Sequence, residues 1–142
     1  MSTRNIEEVR RGLASFVEAF NREDVDDALS VWAPDFLDMP EGLAAMRGAG
    51  ALARRREMIT ERFREHTAVL SIEPAEFAPL GDTAVLVHGE LTVTLRRRQT
   101  GVVSHLHKRF LEVWVRGPSG WAIQFEMGNS GPPGATASAL SA

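Results

Sequence analysis

Cysteine and tyrosine are both absent from this chain of 142 residues. Without cysteine there can be no disulfide, no thiolate zinc site and no cysteine nucleophile. No stretch approaches the roughly 20 apolar residues that span a bilayer, and the N-terminal "MSTRNIEEVRRGL" lacks the apolar segment of a signal peptide. We therefore expect a cytoplasmic protein without a membrane partner.

An excess of positive charge is absent as well. The formal net charge is −3 at pH 7, whereas domains that bind nucleic acid usually carry a basic excess, so no nucleic-acid partner is expected. The content of 44% hydrophobic and 25% charged residues is typical of a globular protein. We predict a single domain over residues 1–130. The segment "GPPGATASALSA" has no hydrophobic period and predicts a disordered tail over residues 131–142.

Helical spacing of apolar residues occupies the first half of the chain. It extends from residue 6 to residue 20, where Asn5 followed by Glu8 has the form of a capping box. A shorter helix is predicted over residues 24–34 and a third over residues 48–64. The arginine run at the centre of the third helix is interpreted as a solvated face.

From Thr67 onward the hydrophobic period changes to two. The stretches "TAVLSIE", "AEFAPL", "TAVLVHGELTVTL", "VVSHLHKRFLEVWV" and "WAIQFEMGN" predict strands separated by polar or glycine-containing turns. Helices followed by antiparallel strands make an α+β domain, with three N-terminal helices packed on one face of a curved, mostly antiparallel sheet. That arrangement leaves a cone-shaped hollow where a small ligand could bind.

Three stretches carry a family resemblance: "FNREDVDDALSVWAPDFLDMPEG", "GDTAVLVHG" and "FLEVWVRGPSGWAIQFEMGNS". They resemble the nuclear transport factor 2-like (NTF2-like) superfamily, in particular its SnoaL-like branch. The C-terminal half also resembles the association domain of calcium/calmodulin-dependent kinase. The resemblance covers residues 5–131 and implies the cone-shaped NTF2-like fold without a metal or cofactor. Because this superfamily includes isomerases, cyclases, hydrolases, dehydratases and non-catalytic oligomerisation domains, function must be argued from the site.

The stretch "SHLHKRF" places His105 and His107 on one face of a strand. If Leu111 and the residues alternating with it face the core, both histidines and Arg109 reach the mouth of the hollow. A His-x-His pair supplies only two of the three protein ligands of a catalytic zinc site, and no third ligand stands at a fixed spacing, so we predict no metal. The pair then forms a polar pocket wall or lies exposed on the strand.

Asp38, in "FLDMPEG", is the candidate general base. The resemblance implies a base carboxylate in the corresponding extended segment of ketosteroid isomerases, which also use a tyrosine. Since this chain has no tyrosine, steroid isomerisation is not expected. Asp38 could instead abstract a proton next to a carbonyl while His107 and Arg109 stabilise the enolate. The alternative is that Asp38 only caps a turn or contacts solvent.

Further candidate pocket residues are mostly apolar, and each has core packing as its alternative role. On the last strand, alternation from Trp121 to Asn129 would place Glu126 on the outer face, whereas the direction of His88 stays open. Methionine and aromatic side chains make an adaptable wall for flat apolar ligands. Together with His105, the candidate pocket residues are Trp32, Met39, Met58, Phe63, Phe125, Met127 and Asn129.

Two functions remain open from the sequence. The first is a cofactor-independent isomerase, cyclase or hydrolase that acts on a small apolar carbonyl compound by acid–base chemistry. The second is a non-catalytic oligomerisation or ligand-binding module related to the kinase association domain. In both we expect a homodimer through the outer sheet face, with Phe110, Glu112 and Trp114 in the interface.

Overall fold

The computed structural model describes residues 2–131 of the chain. Within this range the helices are α1 (Ser2–Asn21), α2 (Val25–Leu29) and α3 (Ala49–Glu65). The strands are β1 (Trp32–Met39), β2 (Met46–Arg47), β3 (His66–Pro79), β4 (Ala84–Arg97), β5 (Val103–Gly117) and β6 (Gly120–Asn129). Residues 132–142, almost all of the predicted disordered tail, lie outside the described residues.

The six strands form one curved sheet in the order β2-β1-β6-β5-β4-β3. Neighbours are antiparallel except β1 and β6, which run parallel. The helices pack on one face of this sheet, so the predicted α+β fold with N-terminal helices and a mostly antiparallel sheet is confirmed. Gly89 of β4 allows β3 to approach closely, because a Cβ atom there would lie 2.3 Å from the carbonyl oxygen of Glu73.

The helix starts were only partly predicted. Helix α1 begins before Asn5, so the predicted capping box is wrong. Asn5 instead donates a hydrogen bond to the carbonyl of Asp82 and accepts one from Arg116, which ties α1 to the sheet. Asp24 does cap α2, since its side chain accepts a hydrogen bond from the backbone N–H of Asp27 at 3.0 Å.

Strand β5 faces the opposite way from the sequence prediction. Leu111 is 41% exposed, while Phe110, Glu112 and the fully inaccessible Trp114 lie beneath the helices. Gly12 of α1 provides the space for the indole, because a Cβ atom at that position would lie 2.8 Å from the Trp114 ring. The larger aromatic side chains therefore take the helix-covered face, and the predicted dimer interface through Phe110, Glu112 and Trp114 is wrong.

A β-bulge reverses the faces along β6. Trp114 pairs with Ile123, but Val113 pairs with Phe125, so one extra residue, Gln124, lies between the two registers. As a result Ile123 and Glu126 both point toward the helices. The prediction that residues alternate regularly from Trp121 to Asn129, with Glu126 outside, is wrong for this reason.

Candidate functional site

A cavity of about 260 Å³ lies between the helices and the inner face of the sheet. Most of its wall is apolar and comes from α1, β1, α3 and the inner positions of β3, β4 and β5. Representative apolar lining residues are Phe16, Trp32, Met58, Leu70, Val93 and Phe110. An apolar cavity of roughly 150 Å³ can hold benzene, so this one is large enough for a small two-ring compound.

One part of the wall is a buried cluster of charged side chains. Asp38, which is 1% exposed, accepts two hydrogen bonds from Arg55, from Nε at 2.9 Å and from Nη2 at 2.7 Å. The same Nη2 also donates to Glu126, whose other oxygen accepts from Trp32 Nε1 at 3.1 Å. The Arg55 guanidinium lies 5.0 Å from the centre of the Trp32 ring. Arg55 is therefore bound between two carboxylates and one indole face.

The cluster brings together residues that lie far apart in sequence. Helix α3 directs Arg55 inward, β1 supplies Asp38, and the bulge in β6 turns Glu126 to the same side. Although burial alone would lower the pKa of Arg55, the charge of Glu126 and the hydrogen bonds to Asp38 raise it. The two carboxylates therefore favour the charged form of the guanidinium.

Glu112 is a further buried carboxyl group beside this cluster, and its pKa is raised. It lies directly opposite Glu126 across β5 and β6 and accepts a hydrogen bond from Trp114 Nε1 at 3.0 Å. Burial raises the pKa of Glu112 well above its ordinary value, and the negative charge of Glu126, together with a hydrogen bond to it, raises the pKa further. Trp114 and Arg55 oppose this shift only in part. Glu112 can thus hold a proton inside the cavity where an ordinary glutamate would be ionised.

The predicted catalytic group of Asp38, His107 and Arg109 is not brought together. Asp38 lines the cavity, but His107 projects from the outer face of the sheet, where its Nε2 lies 3.4 Å from Glu90. Arg109 reaches the cavity wall, and its Nε donates to Asn129 at 2.6 Å. The reason is again the orientation of β5, which sends the His107 side chain away from the helices. The prediction that His107 lies at the cavity mouth is therefore wrong.

The other candidate residues divide between the two faces of the sheet. Trp32 and Met58 line the cavity, whereas Phe63 packs against Phe20 in the core at 4.9 Å between ring centres. His105 is exposed on the outer face, where its Nδ1 lies 3.2 Å from Oγ1 of Thr94. Three predicted pocket residues project outward as a result of the bulge and of the pairing of β1 with β6: Met39, Phe125 and Met127.

His88 and Asn129 bind neighbouring polar groups of the chain. His88, whose direction was left open, projects from the outer face and lies 3.0 Å from Glu76. Asn129 accepts hydrogen bonds from Arg109 and from the backbone N–H of Gly131. Neither residue lines the cavity.

Sequence reasoning missed Arg55, Glu112 and Glu126. The arginine run was interpreted as solvated, yet Arg55 stands four residues after the buried Ala51 and four before Ile59, which is the spacing of one helix face. That spacing could have identified it. The inward direction of Glu126 depends on the bulge, for which the sequence carries no clear signal.

No group of three or more histidine, aspartate or glutamate side chains among residues 2–131 is arranged to hold a metal ion. No helix in this part of the chain is long and apolar enough to cross a membrane.

Comparison with known proteins identifies both a sequence family and a fold. A model of the SnoaL-like domain matches residues 13–127, while no curated protein sequence matches the chain. A ketosteroid isomerase-like protein from Erwinia carotovora atroseptica is 19% identical, with a TM-score of 0.72 over 89% of this chain and 96% of that one. An NTF2-like superfamily protein from Salmonella enterica is 17% identical, with a TM-score of 0.77 over 95% of this chain and 97% of that one.

The likeness to a kinase association domain is also found at the level of structure. A candidate calcium/calmodulin-dependent protein kinase II association domain from Xanthomonas campestris is 16% identical, with a TM-score of 0.73 over 89% of this chain and 87% of that one. Identities this low show a shared fold and nothing about activity. Because the family model covers most of the chain and the fold agrees with it, this protein belongs to the SnoaL-like family of the NTF2-like superfamily.

Proposed function

We propose that this protein is a cofactor-independent isomerase that binds a small, largely apolar carbonyl compound and moves a proton on it. Glu112 is the general base in this proposal, and Arg55 stabilises the negative charge that develops on the carbonyl oxygen. The observation that carries the proposal is a buried carboxyl group with a raised pKa beside a guanidinium in the wall of a largely apolar cavity. Such a carboxyl is the form in which a glutamate works as an acid or base near neutral pH.

The proton transfer is balanced within the site. Ionised Glu112 removes a proton from the carbon next to the carbonyl, and the electron pair moves to the oxygen to form an enolate. When a carbon–carbon double bond adjoins that carbon, the enolate is a dienolate. The protonated Glu112 then returns the proton to the far carbon of the dienolate, which regenerates the carboxylate and yields the isomer with the double bond shifted. A cation such as Arg55 lowers the energy of the enolate because the apolar wall excludes water from the charge.

Asp38 has a positioning role in this proposal rather than the role of base. Both of its carboxylate oxygens accept hydrogen bonds from Arg55, so both are already bound to the guanidinium. It holds the guanidinium in one orientation toward the cavity, as a carboxylate commonly does in a bidentate pair. We therefore assign the role of general base to Glu112 instead of Asp38, for which the sequence predicted it.

Proton abstraction can be tested without knowing the natural substrate. We would incubate the protein with the bicyclic ketone 1-tetralone in D2O and follow loss of the hydrogen next to the carbonyl by NMR. Glu112→Gln is expected to lose the exchange above the buffer rate, whereas Glu90→Gln, an exposed change on the outer face, is expected to keep it. Exchange that continues unchanged in Glu112→Gln would show that Glu112 is not the base.

A second candidate function, a homodimeric binding module, has its own supporting observation. The outer sheet face exposes Leu111 and Met127, which are 41% and 44% accessible and pair directly across β5 and β6. Exposed apolar side chains at the centre of a sheet face favour contact with a second copy of the chain. We propose this face, instead of the buried Trp114 side, as the dimer interface.

A further inference from the structure

Arg62 differs from every other cation in the cavity wall. It lines the cavity and is only partly accessible to solvent, yet its guanidinium has no hydrogen bond or ion pair with any residue in the described range 2–131. By contrast, Arg55 binds Asp38 and Glu126, and Lys108 lies 3.3 Å from Glu41. A partly desolvated charge without a counterion is unfavourable.

The cavity wall as a whole also carries more positive than negative charge. Five cationic side chains and four carboxyl groups line it, and one of those carboxyls, Glu112, holds a proton to unusually high pH. The cavity therefore carries a positive surplus although the whole chain has a net charge of −3. The pKa of Arg62 is lowered first by burial and then by repulsion from Arg55, as expected for a cation that lacks an anion.

The position of Arg62 sets the shape of a ligand that would supply this anion. Arg62 follows Arg55 by seven residues of α3, which is about 10 Å along a helix axis. The apolar Met58 and Ile59 lie between them and also line the cavity. A molecule with an anionic group at Arg62 would thus place its apolar body along the chamber and its far end near Arg55 and Glu112.

We propose that the ligand of this cavity is an amphipathic monocarboxylate, with its carboxylate on Arg62 and an apolar body of one or two rings or a chain of similar length. This names the substrate class of the proposed isomerase and rests on the cavity being its ligand site. A guanidinium matches a carboxylate through two parallel hydrogen bonds, which gives both charge neutralisation and orientation. The reacting carbonyl would lie at the end of the ligand remote from the carboxylate.

The test compares matched acids and alcohols by isothermal titration calorimetry. The probes are 2-naphthoate and 2-naphthalenemethanol for a rigid aromatic body, and octanoate and 1-octanol for a flexible chain. We expect the unmodified protein to prefer at least one acid over its alcohol by about tenfold or more, and Arg62→Gln to weaken that acid by roughly 10–100-fold with the alcohol unchanged. The better of the two acids distinguishes an aromatic from an acyl-chain ligand.

Arg56→Gln is the matched control, because Arg56 belongs to the same helix but pairs with Asp26 at the surface. It is expected to leave both affinities unchanged. An acid preference that survives in Arg62→Gln would overturn the inference, as would the absence of acid binding to the unmodified protein. Tetralone exchange that persists in either case would show that only the carboxylate class has failed. If the unmodified protein neither exchanges tetralone nor binds the acids, the proposed function is rejected as well.

Discussion

Neighbouring arginines on α3 should differ sharply in their contribution to stability. Arg55→Met removes the only cation hydrogen-bonded to Asp38 and Glu126 in the described part of the chain, and leaves two buried carboxylates. Removing one partner of a buried ion pair typically lowers the free energy of unfolding by about 3–5 kcal/mol. For a chain of this length that corresponds to a fall of roughly 10–20 °C in melting temperature.

Arg56→Met is the matched comparison. Arg56 forms its ion pair with Asp26, and more than half of each side chain is accessible to solvent. Exposed pairs contribute about 0.2–1 kcal/mol, so this variant should unfold within a few degrees of the unmodified protein. Urea unfolding followed by tryptophan fluorescence gives both free energies directly.

The double variant Arg55→Met with Asp38→Asn tests whether uncompensated negative charge causes the loss of stability in Arg55→Met. In Arg55→Met, Asp38 retains only the longer contact with Arg54 Nη2 at 3.7 Å among residues 2–131. Neutralising Asp38 should therefore make the double variant more stable than Arg55→Met alone. Equal destabilisation by Arg55→Met and Arg56→Met would refute the description of a buried charge cluster. A double variant less stable than the Arg55 variant would show that the loss came from packing instead.

Three other changes test separate parts of the structure. Because the pKa of Glu112 is higher in the folded than in the unfolded chain, its contribution to stability is complete below the ordinary value of 4.5 and is lost as the pH rises through the raised value. Glu112→Gln should therefore flatten the fall in unfolding free energy as the pH rises above 4.5, and an unaltered slope would assign the titration elsewhere. Gly89→Ala should lower the free energy of unfolding by about 1–3 kcal/mol or more, because its Cβ would collide with the β3 backbone. Gly117→Ala should be tolerated, because no atom lies closer than 3.8 Å to a Cβ at that position. Similar melting temperatures for the two variants would contradict the close approach of β3 to Gly89. Leu111→Glu should convert a dimer into monomers by light scattering without loss of folding, and an unchanged mass would exclude this face as the interface.

The order of elements could be predicted from residue patterns because those patterns are local. The change of hydrophobic period from helical spacing to alternation after Thr67 reflects how side chains leave a helix or a strand. The length of the strands and their glycine-containing turns then favour an antiparallel sheet covered by helices. These features, with the family resemblance, were sufficient for the fold.

The site could not be predicted in the same way because it depends on which face of each strand the helices cover. Both faces of β5 are partly apolar, so local alternation gives no preference between Leu111 and Trp114. Trp114 can lie under the helices because Gly12, about a hundred residues away in the sequence, leaves room for the indole. With Trp114 inside, Glu112 follows it into the cavity and His107 goes to the outer face.

By itself the sequence determined the kind and the order of most elements, since propensity and hydrophobic period act over a few residues. It was wrong about the end of the second helix, which was predicted to reach residue 34 but gives way to β1 from Trp32. Only the tertiary structure decided which charged groups meet. Asp38, Arg55, Glu112 and Glu126 come from four different elements, and the bulge at Gln124 is needed to turn Glu126 inward. A one-residue shift in a strand sends every later side chain to the opposite face, so the candidate site depends on long-range packing that local patterns do not encode.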